Sequence, residues 1–259
     1  MQPLHEPMTV EEFRDFPRRL GWKHEYYGGE IHITPAHLVV TLALPLSPRE
    51  VPDELAIRPV QPADEEGLVP AFLTAFSGTM DYVGYAPEDM PKAANRYFKG
   101  YYGAVRGTPM AASCLAEENG EIVGAALIKR VKRGPLLDCI FVVPAHQRGG
   151  IATVLAGHAV NSLLAARETE LYSCCILGNG SSLAWHKQFG FQELPDLLVA
   201  NHRANTFRAE VDRHRRLGDL PAEELTELVL EADFWSKERS HLQAIADRDF
   251  WAVHPLLEE

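Results

Sequence analysis

The sequence predicts an α/β (α+β) fold with an extension at each end, and three observations support this. Between residues 51 and 200, short apolar strand patterns alternate with amphipathic helix patterns, which is typical of a sheet flanked by helices. Residues 1–50 carry the signals of a short helix and a β-hairpin, and residues 201–259 have a helical pattern. We therefore predict an N-terminal extension (1–50), a central domain (51–200) and a C-terminal helical extension (201–259).

The N-terminal extension begins with a capping box, in which Thr9 and Glu12 start a short helix. Two strand patterns, 23–27 and 30–34, flank Gly28-Gly29, a typical two-residue hairpin signal. About forty residues loosely resemble the start of a restriction-endonuclease-like family. The acidic and lysine motifs of such nucleases do not follow, so we expect a structural extension without nuclease activity.

The central domain is predicted element by element after a proline-rich linker at 45–52. Pro70 is expected to kink or break the first helix. The predicted strands are 55–59, 111–117, 122–130, 136–143 and 171–177, and the predicted helices are 64–76, 88–102, 151–167 and 181–188.

The segment 140–155 carries the most specific pattern in the chain. A buried strand ends at Pro144, a glycine loop follows, and a helix then begins. The first N–H groups of a helix lack intrahelical partners and lie at the positive end of its dipole, so they bind phosphate well. Gly149 and Gly150 allow the backbone to approach an anion closely, and Arg148 adds positive charge. The segment therefore predicts a phosphate-binding loop.

This segment resembles the acyl-CoA-binding motif of the GNAT N-acetyltransferase superfamily. In that motif Val-x-Pro ends a strand, and Arg/Gln-x-x-Gly-x-Gly/Ala follows. Residues 142–144 match the first part, and Gln147, Gly150 and Ala152 match the second. The resemblance covers roughly residues 57–198. It implies a GNAT-like mixed, mostly antiparallel central sheet flanked by helices.

The resemblance also implies acetyl-CoA as the cosubstrate, with no metal. The backbone of Phe141, Val142 and Val143 is expected to pair with the pantetheine arm. The hydroxyl of Thr153 either adds a bond to the pyrophosphate or belongs to an ordinary first-turn threonine. The residues expected to hold the pyrophosphate are Gln147, Arg148, Gly149, Gly150, Ile151, Ala152 and Thr153.

Residues 179–191 resemble the second CoA motif of the family, Asn-x-x-Ala-x-x-x-Tyr-x-x-x-Gly-Phe. Asn179 matches and is expected to contact CoA, whereas Ser182 replaces the alanine. His186 stands where the family usually has the tyrosine that protonates the departing thiolate. One hypothesis makes His186 the general acid, since histidine titrates near neutral pH. The alternative is a histidine on the helix surface.

Asp138 is the candidate general base. It lies two residues before Ile140, on the same face of a regular strand, and family members often carry an acidic residue near this point. An acidic residue in an apolar strand needs a partner or a function, so a structural hydrogen bond is the alternative. Glu117 is a weaker candidate, and many members of the family have no side-chain base.

Several tyrosines surround the second helix, where the family builds its acceptor wall. Core packing is the alternative for most of them. They are Tyr82, Tyr85, Tyr97, Tyr101 and Tyr102.

A basic cluster before the strand at 136–143 is predicted to be a solvated hairpin tip. It consists of Lys129, Arg130, Lys132 and Arg133.

The C-terminal aromatic residues are expected to pack on the core, with a dimer interface or an active-site wall as the alternatives. They are Phe234, Trp235, Phe250 and Trp251.

Bulk properties narrow the class of protein. Hydrophobic residues make up 46% of the chain, enough for a core, and the net charge of −11 argues against nucleic acid as a partner. The four cysteines show no metal-ligand spacing and are expected to be buried, reduced thiols. Because no signal peptide and no membrane-spanning run is visible, we expect a cytoplasmic protein that does not bind membranes.

These observations predict an acyl-CoA-dependent N-acyltransferase. The acetyl group of acetyl-CoA would pass by direct attack to an amine of a small molecule or a peptide, and a homodimer is possible. The alternative is a catalytically silent acyl-CoA-binding module that acts as a sensor or scaffold. A nucleic-acid-processing role would depend on the N-terminal likeness alone.

Overall fold

The computed structural model describes residues 3–52 and 55–254. The strands are β1 (Leu4–Pro7), β2 (Trp22–Tyr27), β3 (Glu30–Pro35), β4 (Val39–Pro45), β5 (Ala56–Pro59), β6 (Thr108–Pro109), β7 (Cys114–Glu118), β8 (Glu121–Val131), β9 (Gly134–Val142), β10 (Glu170–Ile176) and β11 (Gln192–Glu193). The helices are α1 (Val10–Asp15), α2 (Glu65–Phe76), α3 (Met90–Tyr102), α4 (Ile151–Ala165), α5 (Gly180–Phe189), α6 (Leu197–Leu217) and α7 (Ala222–Ala246).

The described chain divides into two compact units. The first contains residues 3–41, 175–184 and 193–254, and the second contains residues 42–52, 55–174 and 185–192. Each unit is discontinuous in sequence, so the consecutive division at 50 and 200 stays a prediction. Residues 1–2, 53–54 and 255–259 of the predicted parts lie outside the described residues.

The first unit contains an antiparallel sheet in the order β1-β3-β2 and the long helices α6 and α7. The predicted capping box is confirmed, because the Thr9 hydroxyl accepts from the Glu12 N–H and the Glu12 carboxylate accepts from the Thr9 N–H. The predicted hairpin is also confirmed. Its turn uses Gly28 and Gly29 at φ of 65° and 84°, values that residues with a side chain adopt at a cost.

The second unit is built on the large sheet, whose strand order in the described chain is β11-β4-β10-β9-β8-β7-β5, with β6 paired to β8. The pairs β5–β7, β7–β8 and β8–β9 are antiparallel, and β9–β10 is parallel. This confirms the predicted mixed, mostly antiparallel sheet. Strand β4 was not predicted, although its run Val-Val-Thr-Leu-Ala-Leu is typical of a buried strand.

Helices cover the sheet of the second unit. Helix α4 packs on β7, β8 and β9 with buried residues at Leu155, Ala159 and Leu163, a spacing of four that keeps them on one face. Helix α2 packs on β8 and β9, and it continues through Pro70, so the predicted break does not occur. Its Phe72 joins a core cluster with residues of α3 and the strands; burial of each such side chain contributes about 1.5–3 kcal/mol.

A β-bulge interrupts the pairing of β8 with β9. Leu127 pairs with Cys139 and Ile128 pairs with Leu137, which leaves Asp138 as the extra residue of β9. A bulge breaks the alternation of side chains along a strand. As a result, Asp138 reaches Tyr97 of α3, on the side where Cys139 packs in the core, rather than sharing a face with Ile140 as strict alternation predicts.

Several expectations about exposure need correction. Lys129, predicted at a solvated hairpin tip, is buried with 6% of its surface exposed, because it pairs with Asp138. Cys174 is exposed, whereas the other three cysteines are buried as expected. Phe234, Phe250 and Trp251 are exposed, so the expected packing of these aromatic residues is wrong for three of the four. Within the described residues, none of the helices has the length and apolar character required to cross a membrane.

Candidate active site

The glycine loop lies between β9 and α4, as the sequence predicts. A 3₁₀ turn at Pro144–His146 follows the strand, and α4 begins at Ile151 after an N-cap at Gly150. The first intrahelical bond runs from the Val154 N–H to the Gly150 carbonyl at 3.0 Å. The loop therefore presents the N-terminus of a four-turn helix directly after the end of the strand.

Six successive backbone N–H groups, from Arg148 to Thr153, have no acceptor in the described part of the chain. The loop residues among them are exposed. Exposed, unpaired N–H groups at the positive end of a helix dipole form a site for an anion. This run is the strongest feature of the candidate site.

Two loop residues have left-handed backbone conformations. Gly150 has φ of 82°, and a Cβ built on it meets no atom within 4 Å, so the residue is glycine for its conformation and not for lack of space. Arg148 has φ of 67°, which costs a residue with a side chain about 1–2 kcal/mol. Such strain is often found in functional loops.

Part of the predicted pantetheine edge is already bonded. The Val143 N–H donates to the Val123 carbonyl at 2.9 Å, so this N–H is not available to a ligand. The Gln147 side chain donates to the Val142 carbonyl at 2.9 Å, which ties the loop to the end of the strand. A carbonyl oxygen has a second lone pair, so Val142 can still accept from a ligand.

Among the residues that the structure describes, the other edge of β9 has no strand partner along its second half. Its parallel ladder with β10 consists of the pairs Leu136–Tyr172 and Leu137–Ser173, and β9 then continues through Asp138 to Val142. A strand edge with open backbone groups can take an extended ligand as an added strand. The predicted segment Phe141–Val143 lies at the end of this open edge.

Thr153 and Asn179 have protein partners. The Thr153 Oγ accepts from the indole N–H of Trp185 at 3.3 Å. Asn179 caps α5, since its Oδ1 accepts from the Ser182 N–H at 3.2 Å and from the Ser181 hydroxyl at 3.1 Å. These capping bonds are sufficient to explain why an asparagine occupies this position of the second motif.

His186 is buried, with 2% of its surface exposed, which excludes the interpretation as a histidine on the helix surface. Its Nε2 lies 2.9 Å from the Ser173 Oγ, and that hydroxyl donates to the Leu137 carbonyl at 3.2 Å. Because the hydroxyl has one hydrogen, Nε2 is the donor, and the neutral ring carries its hydrogen there. The bond ends at Leu137, where the ladder of β9 with β10 also ends.

Asp138 lies at the centre of a buried polar cluster. Its Oδ2 accepts from the Tyr97 hydroxyl at 2.5 Å and lies 3.0 Å from Lys129 Nζ. No partner of Oδ1 is found within the described residues. The cluster holds the carboxylate in place through one oxygen and leaves the other for a substrate proton or a water molecule.

Burial raises the pKa of several groups beside Asp138. The pKa of the Tyr97 hydroxyl lies well above its usual value, chiefly because the group is desolvated, so Tyr97 stays protonated and donates. Burial also raises the pKa of Tyr101 to about 12 and that of the Cys114 thiol to about 12. The pKa of the Cys139 thiol is raised as well, so neither thiol is an activated nucleophile.

The predicted acceptor tyrosines separate by burial. Tyr101 is buried and bonded to Ser113 at 2.7 Å, which makes it a core residue, as the packing alternative proposes. Tyr85 is exposed, and its ring contacts Tyr82 edge-on at 5.3 Å. Tyr82 and Tyr97 pack against Phe72, so three tyrosines line the surface between α2 and α3.

Sequence reasoning missed three residues of the site: Lys129, Ser173 and Trp185. A buried lysine inside an apolar strand run was a signal for Lys129, since such a charge needs a partner. Ser173 and Trp185 gave no comparable signal, because their roles depend on contacts between distant elements.

In the described part of the chain, no group of three or more metal-ligating side chains is found.

Residues 79–191 match the sequence model of the acetyltransferase (GNAT) family. This range contains the glycine loop and ends at Phe191, the last residue of the second motif. No protein with a curated description matches the chain.

Solved structures with a similar fold include three acetyltransferases. The PaiA N-acetyltransferase of Thermoplasma acidophilum, in complex with coenzyme A, is 13% identical, with a TM-score of 0.45, over 54% of this chain and 90% of that chain. A GNAT family acetyltransferase of Brucella melitensis, in complex with acetyl-CoA, is 21% identical, with a TM-score of 0.40, over 54% and 87%. A GCN5-related N-acetyltransferase of Sphaerobacter thermophilus is 17% identical, with a TM-score of 0.42, over 60% and 48%.

The matched segment carries both motifs. Residues 79–191 thus correspond to an acetyltransferase (GNAT) domain, which supports the resemblance of this part of the chain to the GNAT superfamily.

Proposed function

We propose that the protein transfers an acetyl group from acetyl-CoA to an amine of a small molecule or a peptide. The observation that carries the proposal is the run of six unpaired N–H groups from Arg148 to Thr153, at the start of α4. The pyrophosphate of CoA is a dianion that suits this run, and the match of residues 79–191 to the acetyltransferase (GNAT) family model supports acetyl-CoA as the acetyl donor. The open edge of β9 beyond Leu137 supplies backbone groups for the pantetheine arm.

The reaction is a direct attack. The amine nitrogen forms a bond to the thioester carbonyl carbon, the carbon–sulfur bond breaks, and the thiolate leaves with the electron pair. One proton leaves the amine nitrogen, and the CoA sulfur gains one. The raised pKa values of Cys114 and Cys139 favour direct attack over an acyl-cysteine intermediate, because a protonated thiol is a poor nucleophile.

Asp138 is our candidate for the base. Tyr97 and Lys129 hold Oδ2, so Oδ1 would take the amine proton directly or through one water molecule. Asp138→Asn is expected to lower kcat by about 100-fold or more while the CoA-induced stabilisation remains. Equal turnover in Asp138→Asn and the wild type would leave the carboxylate with a structural role alone.

His186 is our candidate for the source of the thiolate proton, acting through Ser173. The ring is buried and its Nε2–H donates to the Ser173 hydroxyl, so a proton from the imidazolium form of His186 would pass through that hydroxyl and leave the ring neutral. Ser173 lies at the last pair of the β9–β10 ladder, where the open edge begins. This position favours a relay towards a ligand on the open edge.

Binding is tested first, by thermal unfolding with increasing acetyl-CoA. A ligand that binds only the folded protein raises Tm in a concentration-dependent way. Gly150→Glu places a carboxylate among the N–H groups and is expected to abolish the shift. Gly29→Glu is the matched control, since Gly29 has φ of 84° against 82° for Gly150 and both sites have open space for a side chain.

The outcomes of this experiment are distinct. A shift in the wild type and in Gly29→Glu that disappears in Gly150→Glu supports the loop as the CoA site. A wild-type protein without a shift would overturn the proposal. Screening of amine acceptors by release of free CoA thiol then tests turnover.

The second candidate is a CoA-binding module without turnover. It is favoured by one observation: the residue in the place of the family tyrosine is a buried histidine already bonded to Ser173. Binding of acetyl-CoA with no thiol release for any class of amine would support this candidate over the enzyme.

A further inference from the structure

The first unit contains a cavity of about 280 Å³ between strand β2 and helix α6, lined by residues of that unit. Helix α6 contributes His202, Asn205 and Thr206 from one face, and β2 contributes Lys23 and His24. The loop before β2 contributes Arg18. The cavity is large enough for a small acid, and below the usual range of about 300–1,000 Å³ for drug-sized ligands.

Two polar atoms of this cavity lining are buried and lack a protein partner in the described chain: Arg18 Nη1 and His24 Nε2. The rest of the Arg18 side chain is held in place, because Nη2 donates to the Phe13 carbonyl at 3.0 Å and the guanidinium stacks 4.0 Å from the Phe13 ring. A buried guanidinium nitrogen without an acceptor is costly, so an acceptor in the cavity would stabilise this arrangement.

The side chains of α6 also direct donors to this region. His202 Nε2 accepts from the Gly21 N–H at 3.1 Å, so its ring hydrogen is on Nδ1, and no acceptor for Nδ1 is found within the described residues. Asn205 Oδ1 accepts from Arg239 at 3.3 Å, which leaves the amide NH₂ as the other end of that side chain. Donors therefore outnumber acceptors around the cavity.

The charges also favour an anion, with one opposing group. Arg18 and Lys23 are cationic, and Glu25 is the acidic residue of the lining. Glu210 lies close to Arg18, but its carboxylate also accepts from Arg213, which offsets its charge. Burial lowers the pKa of His24 to about 4, with Arg18 adding to the effect, and burial lowers the pKa of His202, so both rings are neutral at pH 7.

We propose that this cavity binds a small molecule through an oxyanion, either a carboxylate or a phosphate, which accepts from Arg18 Nη1. An oxyanion provides several acceptor oxygens and matches the planar donor array of a guanidinium. The site is separate from the glycine loop and does not depend on the function proposed for that loop.

The test uses the full chain and measures Tm with inorganic phosphate, malonate or chloride at one ionic strength. Three variants are compared with the wild type: Arg18→Gln, Arg19→Gln and Thr206→Met. Arg19→Gln is the matched control, because it removes the same charge from the next residue, which is exposed and outside the cavity. Thr206→Met fills the cavity and keeps Arg18, so it tests the site if Arg18→Gln does not fold.

Phosphate bound at the N-terminus of α4 would raise the Tm of every variant. The cavity is therefore tested by the difference in the Tm shift between the variants. The proposal expects phosphate or malonate to raise Tm more in the wild type and Arg19→Gln than in Arg18→Gln or Thr206→Met. The more effective anion identifies the ligand as a phosphate or a carboxylate. Equal responses of the variants to both anions, or responses no larger than that to chloride, would overturn the proposal.

Discussion

The Tyr97 hydroxyl of α3 donates a hydrogen bond of 2.5 Å to Oδ2 of Asp138, the extra residue of the bulge in β9. Lys129 Nζ of β8 lies 3.0 Å from the same oxygen. Three elements thus meet at one carboxylate beside the open edge of β9. The same contacts therefore stabilise the core and hold the carboxylate that is proposed as the base.

Removal of the Lys129 charge is expected to destabilise the protein strongly. Lys129→Met leaves a buried carboxylate with Tyr97 as its remaining partner, and the loss of one member of a buried ion pair costs about 3–5 kcal/mol. Urea unfolding measures the loss. Lys132→Met, at an exposed lysine three residues on, is the control and is expected to change the free energy of unfolding by less than about 0.5 kcal/mol.

A double variant separates the charge effect from packing. In Lys129→Met/Asp138→Asn both charges are gone, so the loss is expected to be smaller than in Lys129→Met alone. Additive losses in the two single variants would show that the ion pair contributes little.

His186→Phe is expected to lower turnover by about 100-fold, if His186 supplies the proton to the thiolate through Ser173. Initial rates across a range of pH, on protein whose fold has been checked by thermal unfolding, measure the effect. Ser173→Ala interrupts the same relay and should give a similar loss. Full turnover of His186→Phe at every pH would rule out a role of this histidine as the acid.

Arg148→Gly is expected to separate stability from CoA binding. The left-handed backbone at φ of 67° costs arginine about 1–2 kcal/mol, and glycine adopts it freely at an entropic cost of about 0.5–1 kcal/mol. The free energy of unfolding should therefore stay equal or rise by up to about 1.5 kcal/mol. The affinity for acetyl-CoA should fall about tenfold, because one charged contact is lost.

Arg167→Gly is the control for this prediction. Arg167 also has a left-handed backbone, at φ of 63°, and it follows the opposite end of α4. It should show the same effect on urea unfolding and no effect on calorimetric binding of acetyl-CoA. A loss of affinity of equal size in both variants would point to general charge attraction and not to the loop.

Stability should decrease in mild acid because of His24. Its folded-state pKa of about 4 lies below the unfolded value of about 6.5, so the unfolded chain binds more protons between these values. Stability is therefore full above about pH 6.5 and falls as the pH decreases towards about 4. The charged or titratable groups around the ring are Arg18, Arg19, Lys23, Glu25 and His202.

His24→Gln should reduce this acid-induced loss, measured by urea unfolding at about pH 7 and about pH 5. His241→Gln, at an exposed histidine of α7, should behave like the wild type. The prediction fails if His24→Gln and the wild type lose the same stability over this interval.

Local patterns predicted most of the elements and the loop. The strand, Pro144, the glycines and the start of α4 follow one another within a few residues, so their geometry is set by backbone preferences and helix capping. The capping box at Thr9 and the hairpin at Gly28-Gly29 are predicted for the same reason. Strand β4 was missed because a continuous apolar run has no alternation that would identify it as a strand.

The surroundings of the chemical groups could not be predicted in this way. Whether Asp138 faces α3 depends on a bulge, and a bulge is a relation between two strands that neither strand contains alone. The burial of His186 requires Ser173, thirteen residues earlier on β10, and the burial of Lys129 requires Asp138 on the next strand.

The sequence by itself determined the resemblance to the GNAT family, the loop and the order of most of the elements, because these depend on residues that are neighbours along the chain. The tertiary structure decided which donors reach each acceptor: Tyr97 and Lys129 reach Asp138, and His186 reaches Ser173. It also formed the cavity at Arg18 and His24 from segments almost two hundred residues apart. The physical reason is that burial and hydrogen bonding are properties of positions in space, which the folded chain alone brings together.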